Sequence, residues 1–229
     1  MVKSPASKRT IRSYVRRTGR ITQAQDRALK ELWPQYGIEF SNSRIDLDEV
    51  FGRSAERILE IGFGNGESLV HEAGENPEID YLGVEVHEPG IGRCLVAAHE
   101  AGLTNLRIIR HDAIEVLQQQ IEDGAITRIN LFFPDPWPKK RHHKRRILQE
   151  SFLQLAASKL AAGGALHIAT DWENYAEHID ELTAQSAHFT LSERRKHRGF
   201  EPLDRQTTKF EKRGLREGHS IWDWRLVKN

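Results

Sequence analysis

Residues Arg57 to Gly66, RILEIGFGNG, decide the fold class. Arg57 to Ile61 reads as a strand entering a glycine loop, in which Gly62, Gly64 and Gly66 stand at alternate positions. Glycines there let the chain turn sharply out of a strand and let a ligand approach the backbone. A helix through Ala73 follows the loop. Downstream the alternation repeats, with strands expected at Tyr81–Val86, Leu106–Ile109, Ile129–Phe133 and Ala165–Ala169. Helices are expected between and after them, over Pro89–Ala101, Ala113–Glu122, Arg146–Leu160 (ended by Gly163 and Gly164) and Glu173–Ser186. Strands interleaved with helices predict an α/β fold, a doubly wound, mainly parallel sheet. The last part breaks the rhythm. His188–Arg194 and Ser220–Val227 alternate like half-exposed strands with no evident helix between them, which predicts a C-terminal antiparallel hairpin with a long loop.

Upstream of Arg57 less can be read. Ala24, Ala28, Leu29 and Leu32 share one face of a helix from Thr22, a candidate N-cap, to Trp33, and Pro34 should stop it. Residues 35–52 read as a connection. Residues 1–20 carry seven Lys/Arg and no acid, a basic arm expected to be flexible, whether RNA orders it or water simply solvates it. Residues 21–229 then form a single domain. The net charge of +1 hides this segregation. Without the thirteen cations of 1–20 and 139–146, the remainder carries a net charge of −12. Two concentrated patches can hold phosphates without a basic chain overall. One cysteine, Cys94, excludes an internal disulfide and a multi-cysteine metal site; the surrounding Ile91, Leu95 and Val96 mark it as core. The eleven His show no metal-ligand spacing. With no long apolar span and no signal-like start, a reducing cytoplasm is the expected compartment and no membrane partner is expected.

Two motifs carry the chemistry. The first is the row of acids at strand ends. Glu60 precedes the glycine loop, Glu85 ends the next strand nineteen residues after Gly66, Asp112 follows the third strand and Asp135 the fourth. Glu67 stands where a dinucleotide fingerprint would have its third glycine. An anionic pyrophosphate would be repelled by four converging carboxylates, whereas S-adenosylmethionine, net +1 with its ammonium and sulfonium, would be attracted. The second motif is LFFPDPWPKKRHHKRR, Leu131 to Arg146. Pro134, Pro136 and Pro138 alternate with Asp135 and Trp137, so the strand should end in a stiff, extended rim. Six Lys/Arg and two His follow in eight residues. An acid and an aromatic on a rigid rim beside a polycationic run point to a polyanion whose base is handled at the rim. Trp137 is a wall for that base or a packing plug.

EIGFGNG, GVEVH, HDA, FFPDPWPKKRHHKRR, ATD and TKFE, in that order, resemble the bacterial tRNA (guanine-N7-)-methyltransferases, from about Ile11 to the C-terminus. The resemblance implies the class I S-adenosylmethionine-dependent methyltransferase fold, Rossmann-like. It implies that Glu60, Glu85, Asp112 and Asp135 bind S-adenosyl-L-methionine, with Gly62, Gly64 and Gly66 forming the loop. It further implies that Lys139, Asp171 and Thr208, Lys209, Phe210 and Glu211 contact the substrate. Arg141, His142, His143, Lys144, Arg145 and Arg146 would contact RNA. The expected reaction is methyl transfer to N7 of a guanosine in tRNA, guanosine 46 of the variable loop, with Asp135 as the catalytic group. For Asp171 two roles stay open, accepting the N1 and N2 donors of guanine or capping the helix near Glu173. Methylation of an exocyclic amine is the alternative chemistry, and a catalytically silent RNA-binding protein of the same fold the alternative class. Monomer and weak homodimer are both compatible with the sequence.

Overall fold

The structure, a computed structural model, describes residues 12–14, 20–199 and 205–229. Most of the basic arm therefore lies outside the described residues. The first helix, α1 (Gln23–Glu31), starts where a capping box places it, with Thr22 Oγ1 accepting from Gln25 N and the Gln25 side chain accepting from Thr22 N. Pro34 does not simply end the helical run. It begins a further turn, α2 (Trp33–Tyr36), since proline is tolerated in a first turn. The stretch 35–52, expected as plain connection, holds a two-residue strand β1 (Gly37–Ile38) and a helix α3 (Leu47–Phe51) capped by Asp46.

The alternation then runs as expected. β2 (Arg57–Ile61), α4 (Glu67–Glu75), β3 (Asp80–Val84), α5 (Glu88–Glu100), β4 (Leu106–Ile109), α6 (Ala113–Gln119) and β5 (Ile126–Phe132) follow in turn. After β5 the expected helix is displaced. Lys140–Arg145 forms a 3-10 turn and α7 is confined to Glu150–Lys159. The basic run has like charges three and four apart and no apolar face to bury, so it does not extend the α-helix. Gly163 and Gly164 lie inside a long strand, β6 (Leu160–Thr170), rather than closing α7. Then come α8 (Glu173–Ala184), β7 (Phe189–His197), α9 (Lys209–Arg216) and β8 (Ile221–Lys228). The hairpin strands are present, and α9 between them corrects the reading of a helix-free loop.

Among the described residues eight strands form one sheet in the order β1-β4-β3-β2-β5-β6-β8-β7, parallel except that β8 is antiparallel to both neighbours. The order reverses between β2 and β5, and ligands of open α/β sheets bind outside the carboxyl ends at such a switch point. Register divides the two faces. Glu60, Asn130, His167 and Arg225 stand opposite one another across β2, β5, β6 and β8. The alternate residues Leu131, Ile168 and Trp224 share the other face and bury against α7 and α8 through Phe152, Tyr175 and Ile179. Cys94 is fully buried, and Trp222 and Trp224 are structural, Trp224 Nε1 donating to Asp180 Oδ1 at 2.7 Å. No described helix is long and apolar enough to cross a membrane.

Candidate active site

Because β2 to β6 are parallel, the acids at or just after their carboxyl ends line one edge. In spatial order along β4, β3, β2, β5 and β6 they are Asp112, Glu85, Glu60, Asp135 and Asp171. Gly62, Gly64 and Gly66 all take positive φ, 73°, 60° and 76°. Gly90 of α5 packs against the loop so closely that an added Cβ would stand 2.2 Å from the Gly64 carbonyl oxygen, and one on Gly66 would meet Cys94 Sγ at 2.3 Å. Among the described residues, no atom beyond its chain neighbours lies within 4 Å of where a Gly62 Cβ would stand. The loop is thus wedged from behind and open in front.

Glu85 holds that loop. Its carboxylate accepts Gly64 N at 2.9 Å with one oxygen, and Val86 N at 2.6 Å and His87 N at 3.0 Å with the other. Glu60 differs. It is buried, and its Oε2 has no hydrogen-bond partner among the described residues. Burial first, then the neighbouring Glu72 and Glu85 charges, outweigh Arg128 and Arg205 and push the carboxyl up to about 8. Its cross-strand neighbour Asn130 also has an unpartnered buried Oδ1. A buried carboxyl oxygen and a buried amide oxygen, both unpartnered beside an open glycine loop, fit an ammonium-bearing ligand that would draw Glu60 into its ionised form. Asp112 caps α6, accepting Ile114 N at 2.9 Å. With Glu85 replaced by Ala, binding of S-adenosylmethionine measured by calorimetry should weaken by about 1–3 kcal/mol, because charged hydrogen bonds to loop and ligand are lost. Wild-type affinity would remove Glu85 from the site.

The proline rim is not uniformly extended. Phe133 and Trp137, each preceding a proline, take left-handed φ of 52° and 47°. Such residues cost about 1–3 kcal/mol each and persist where the surroundings over-determine them. The surroundings here are visible. Phe133 N donates to Ala169 O at 2.8 Å, and Trp137 Nε1 donates to Ser13 O at 3.0 Å. The Arg145 guanidinium stacks 4.1 Å from the Trp137 ring centroid while its Nε donates to Arg12 O. Trp137 therefore anchors residues 12–14 to the rim. Between the two strained residues, Asp135 is presented at the exposed edge.

The basic run divides. Lys139, Lys140, Arg141 and Lys144 are exposed, and His142, His143 and Arg145 half-buried. Desolvation and then adjacent cations hold both imidazoles below their ordinary value. Arg146 is only 3% exposed. It donates to Pro136 O at 2.9 Å and Asn174 Oδ1 at 2.8 Å and lies over the Tyr175 ring. Burial and these acceptors make it the brace between rim and α8, which corrects its expected place among RNA contacts. The run also does not sit at the opening of an α-helix.

Asp171 does not cap α8. The N-cap is Trp172, without a side-chain cap bond, and Asp171 faces α9, with His219 Nδ1 3.3 Å from its Oδ2. Gly214 packs on it so tightly that a Cβ there would stand 2.8 Å from Oδ2. Thr208 caps α9, its Oγ1 accepting Glu211 N at 3.1 Å. Phe210 is half exposed, with Cε2 3.7 Å from the Gly64 Cβ position, so the helix starts over the glycine loop. Lys209 is exposed. Glu211 is buried and turned inward, where it accepts Arg205 Nη1 at 2.6 Å. This commitment to Arg205 departs from the direct substrate contact that the resemblance implies.

Sequence reading missed Arg205 itself. It forks onto Asp223 with Nε at 2.8 Å and Nη2 at 3.1 Å, and its guanidinium lies 5.1 Å from the Phe132 ring centroid. Burial alone would raise Asp223; hydrogen bonds from His167 and Arg205 reverse that and bring it to about 2. Burial chiefly holds His167, whose Nε2 lies 3.5 Å from Asp223 Oδ1, below its ordinary value. His197 Nε2 faces the same carboxylates, 3.8 Å from Glu211 and 3.6 Å from Asp223. The one legible signal was T-x-x-E at 208–211, a helix-start pattern.

With this geometry in view, the comparisons decide the family. A family model described as "Putative methyltransferase" matches residues 54–224. The tRNA (guanine-N(7)-)-methyltransferase of Shewanella piezotolerans is 53% identical to the chain, covering 94% of it and 91% of the relative. That of Idiomarina loihiensis is 50% identical over 96% and 90%. The chain belongs to the tRNA (guanine-N7-)-methyltransferase family. Its fold is similar to a 16S rRNA (adenine(1408)-N(1))-methyltransferase from Catenulisporales acidiphilia solved with SAM, at TM-score 0.56 and 16% identity over 81% of this chain and 92% of that one. Among the described residues of this family member, no group of three or more His, Cys, Asp or Glu could hold a metal.

Proposed function

We propose that the chain transfers a methyl group from S-adenosyl-L-methionine to N7 of a guanosine in tRNA, at position 46 as the family resemblance implies. The observation that carries this reading is Glu60, a buried carboxylate with an unpartnered oxygen at the root of the glycine loop, in line with Asp112, Glu85, Asp135 and Asp171. The cofactor, when bound, supplies an electrophilic methyl on a sulfonium. Glu60 would take its ammonium, Glu85 the ribose hydroxyls, and the open face of Gly62 its close approach.

Guanine N7 carries a lone pair and no proton, so attack needs no general base. The protein has to hold N7 in line with the methyl carbon and tolerate the cationic purine that results. Asp135, between strained Phe133 and Trp137, is placed for orientation and for that charge. Only what it contributes more strongly in the transition state than in the ground state raises kcat. The target base leaves its stack to reach this edge. Phe210, at the glycine loop, and Asp171, packed against Gly214 of the same helix α9, would receive it. The exposed Lys139, Arg141 and Lys144 hold phosphates, with Arg145 buttressing Trp137.

Incubating the protein with labelled S-adenosylmethionine and unmodified tRNA, then analysing nucleosides, should yield 7-methylguanosine. Label on an exocyclic amine, or none, would overturn the reading. Asp135→Asn keeps the shape and removes the charge. Its single-turnover rate should fall about tenfold to a hundredfold, while tRNA affinity stays within twofold. An unchanged rate would remove the electrostatic role.

A further inference from the structure

The C-terminal helix α9 carries a second cationic surface that the proposed reaction does not use. Lys209, Lys212, Arg213 and Arg216 occur at i, i+3, i+4 and i+7, so they form one stripe along the helix. All four are exposed. The opposite side is pinned down: Glu211 to Arg205, and Gly214 against Asp171. Rotation of the stripe out of solvent would break both contacts.

The charge pattern is uncompensated. Arg213 pairs with Glu217, whereas Lys209, Lys212 and Arg216 form no ion pair with another described residue. The neighbouring β7 contrasts with this, since Arg194 pairs with Asp180 and Lys196 approaches Glu173. Like charges three and four apart destabilise a helix, and Lys209 in its first turn opposes the dipole, whereas Arg213 and Arg216 in the last turn suit it. An anion laid along the stripe would reverse both penalties.

Position suggests which anion. The exposed Lys139–Lys144 segment is braced through Arg146 to Tyr175 and Asn174 of α8, on the sheet face of Leu131 and Ile168. The stripe is braced through Glu211 and Arg205 to Asp223, on the face of Phe132. The two cationic surfaces thus flank the row of acids from opposite faces at the same carboxyl edge. A nucleotide drawn into that edge carries its chain onward on both sides.

Resting on the tRNA reading above, we propose that the Lys209–Arg216 stripe is a second phosphodiester-binding surface, which holds the tRNA backbone on the sheet face opposite the Lys139–Lys144 run. Two-sided contact fixes the target nucleotide between two anchored backbone segments. It also accounts for why α9 is clamped so firmly to the site.

The test is the triple variant Lys212→Gln, Arg213→Gln, Arg216→Gln, which leaves Lys209, Glu211 and Gly214 in place. tRNA binding should lose about 0.7–0.9 from the log–log salt slope per contact removed, about 2.1–2.7 for the three. The KM for tRNA should rise at least tenfold, with S-adenosylmethionine affinity and far-ultraviolet dichroism unchanged. An unchanged slope and KM would overturn the proposal. Acetylation of Lys212 in the wild-type protein gives a reading independent of any variant. Protection by tRNA supports the surface, and equal modification with and without tRNA overturns it. Nucleoside analysis of the wild type separates the two levels. If 7-methylguanosine forms while Lys212 stays unprotected, this inference alone falls. If none forms, the tRNA reading falls and takes the inference with it.

Discussion

Replacing Arg205 by Ala should destabilise the protein by about 3–5 kcal/mol, because two carboxylates are left buried without their cation. Arg205 is 7% exposed and satisfies Asp223 by a two-bond fork and Glu211 by a third bond. Removing the guanidinium leaves Asp223 with His167 and Glu211 with His197, the latter at 3.8 Å. For a chain of 229 residues the melting temperature should fall by on the order of 10 °C. Arg205→Lys should recover only part, since an ammonium cannot reproduce the planar fork. Combining Arg205→Met with Asp223→Asn and Glu211→Gln should recover most of the stability, the buried charges having gone with their partner. Urea unfolding of the three proteins decides it. An Arg205→Ala protein within about 1 kcal/mol of wild type, below the range for a broken buried pair, would show that the cluster is solvated. Activity should fall further than stability in any folded Arg205 variant, because Arg205 positions α9, Phe210 and the strained Phe133 rather than touching the reacting atoms.

Glu60 should make the ligand-free protein lose stability as pH rises. Its carboxyl ionises near the ordinary 4.5 in the unfolded chain and near 8 in the fold. Below about 4.5 both states are neutral there and no cost appears. Between the two values the folded state holds the extra proton, so stability falls with increasing pH by up to about 1.4 kcal/mol per unit. Above about 8 the cost is complete, on the order of a few kcal/mol. Glu60→Gln removes this dependence. The variant should be more stable than wild type at pH 8 and nearly equal at pH 4.5, while binding S-adenosylmethionine far more weakly. An ammonium favours the ionised carboxylate, so binding to the wild type at pH 7 should release up to one proton, read as a calorimetric heat that changes with buffer ionisation enthalpy. Parallel pH–stability curves for the two proteins, or binding without proton release, would show that Glu60 is ionised and solvated in the fold.

Much of the architecture was legible because short-range rules suffice for it. The period of the apolar residues marked β2 to β6, and the acids at their ends follow from strand direction alone, so Glu60, Glu85, Asp112 and Asp135 could be named before their positions were known. The glycine loop was likewise visible, since positive φ at Gly62, Gly64 and Gly66 is a backbone demand that only glycine meets cheaply. The 3-10 turn at Lys140–Arg145 was not legible as such. A basic run after prolines is compatible with several backbones, and its anchor, Arg146 on Asn174 and Tyr175, lies across the chain. For the same reason Arg146 could not be told from its charged neighbours.

The sequence by itself determined the doubly wound order of elements, the edge at which the acids gather and the family to which the chain belongs. These depend on periodicity, on glycine and proline geometry and on motif order, all of which are local. Only the tertiary structure decided which charges face water and which hold the fold. Glu211 and Arg205 are six residues apart, yet their partner Asp223 arrives on β8, and only that meeting turns Glu211 inward. Gly214 has meaning only because Asp171 packs where a Cβ would be. Desolvation, and the pairing it enforces, depends on what surrounds a residue in space, and residues distant in sequence supply that.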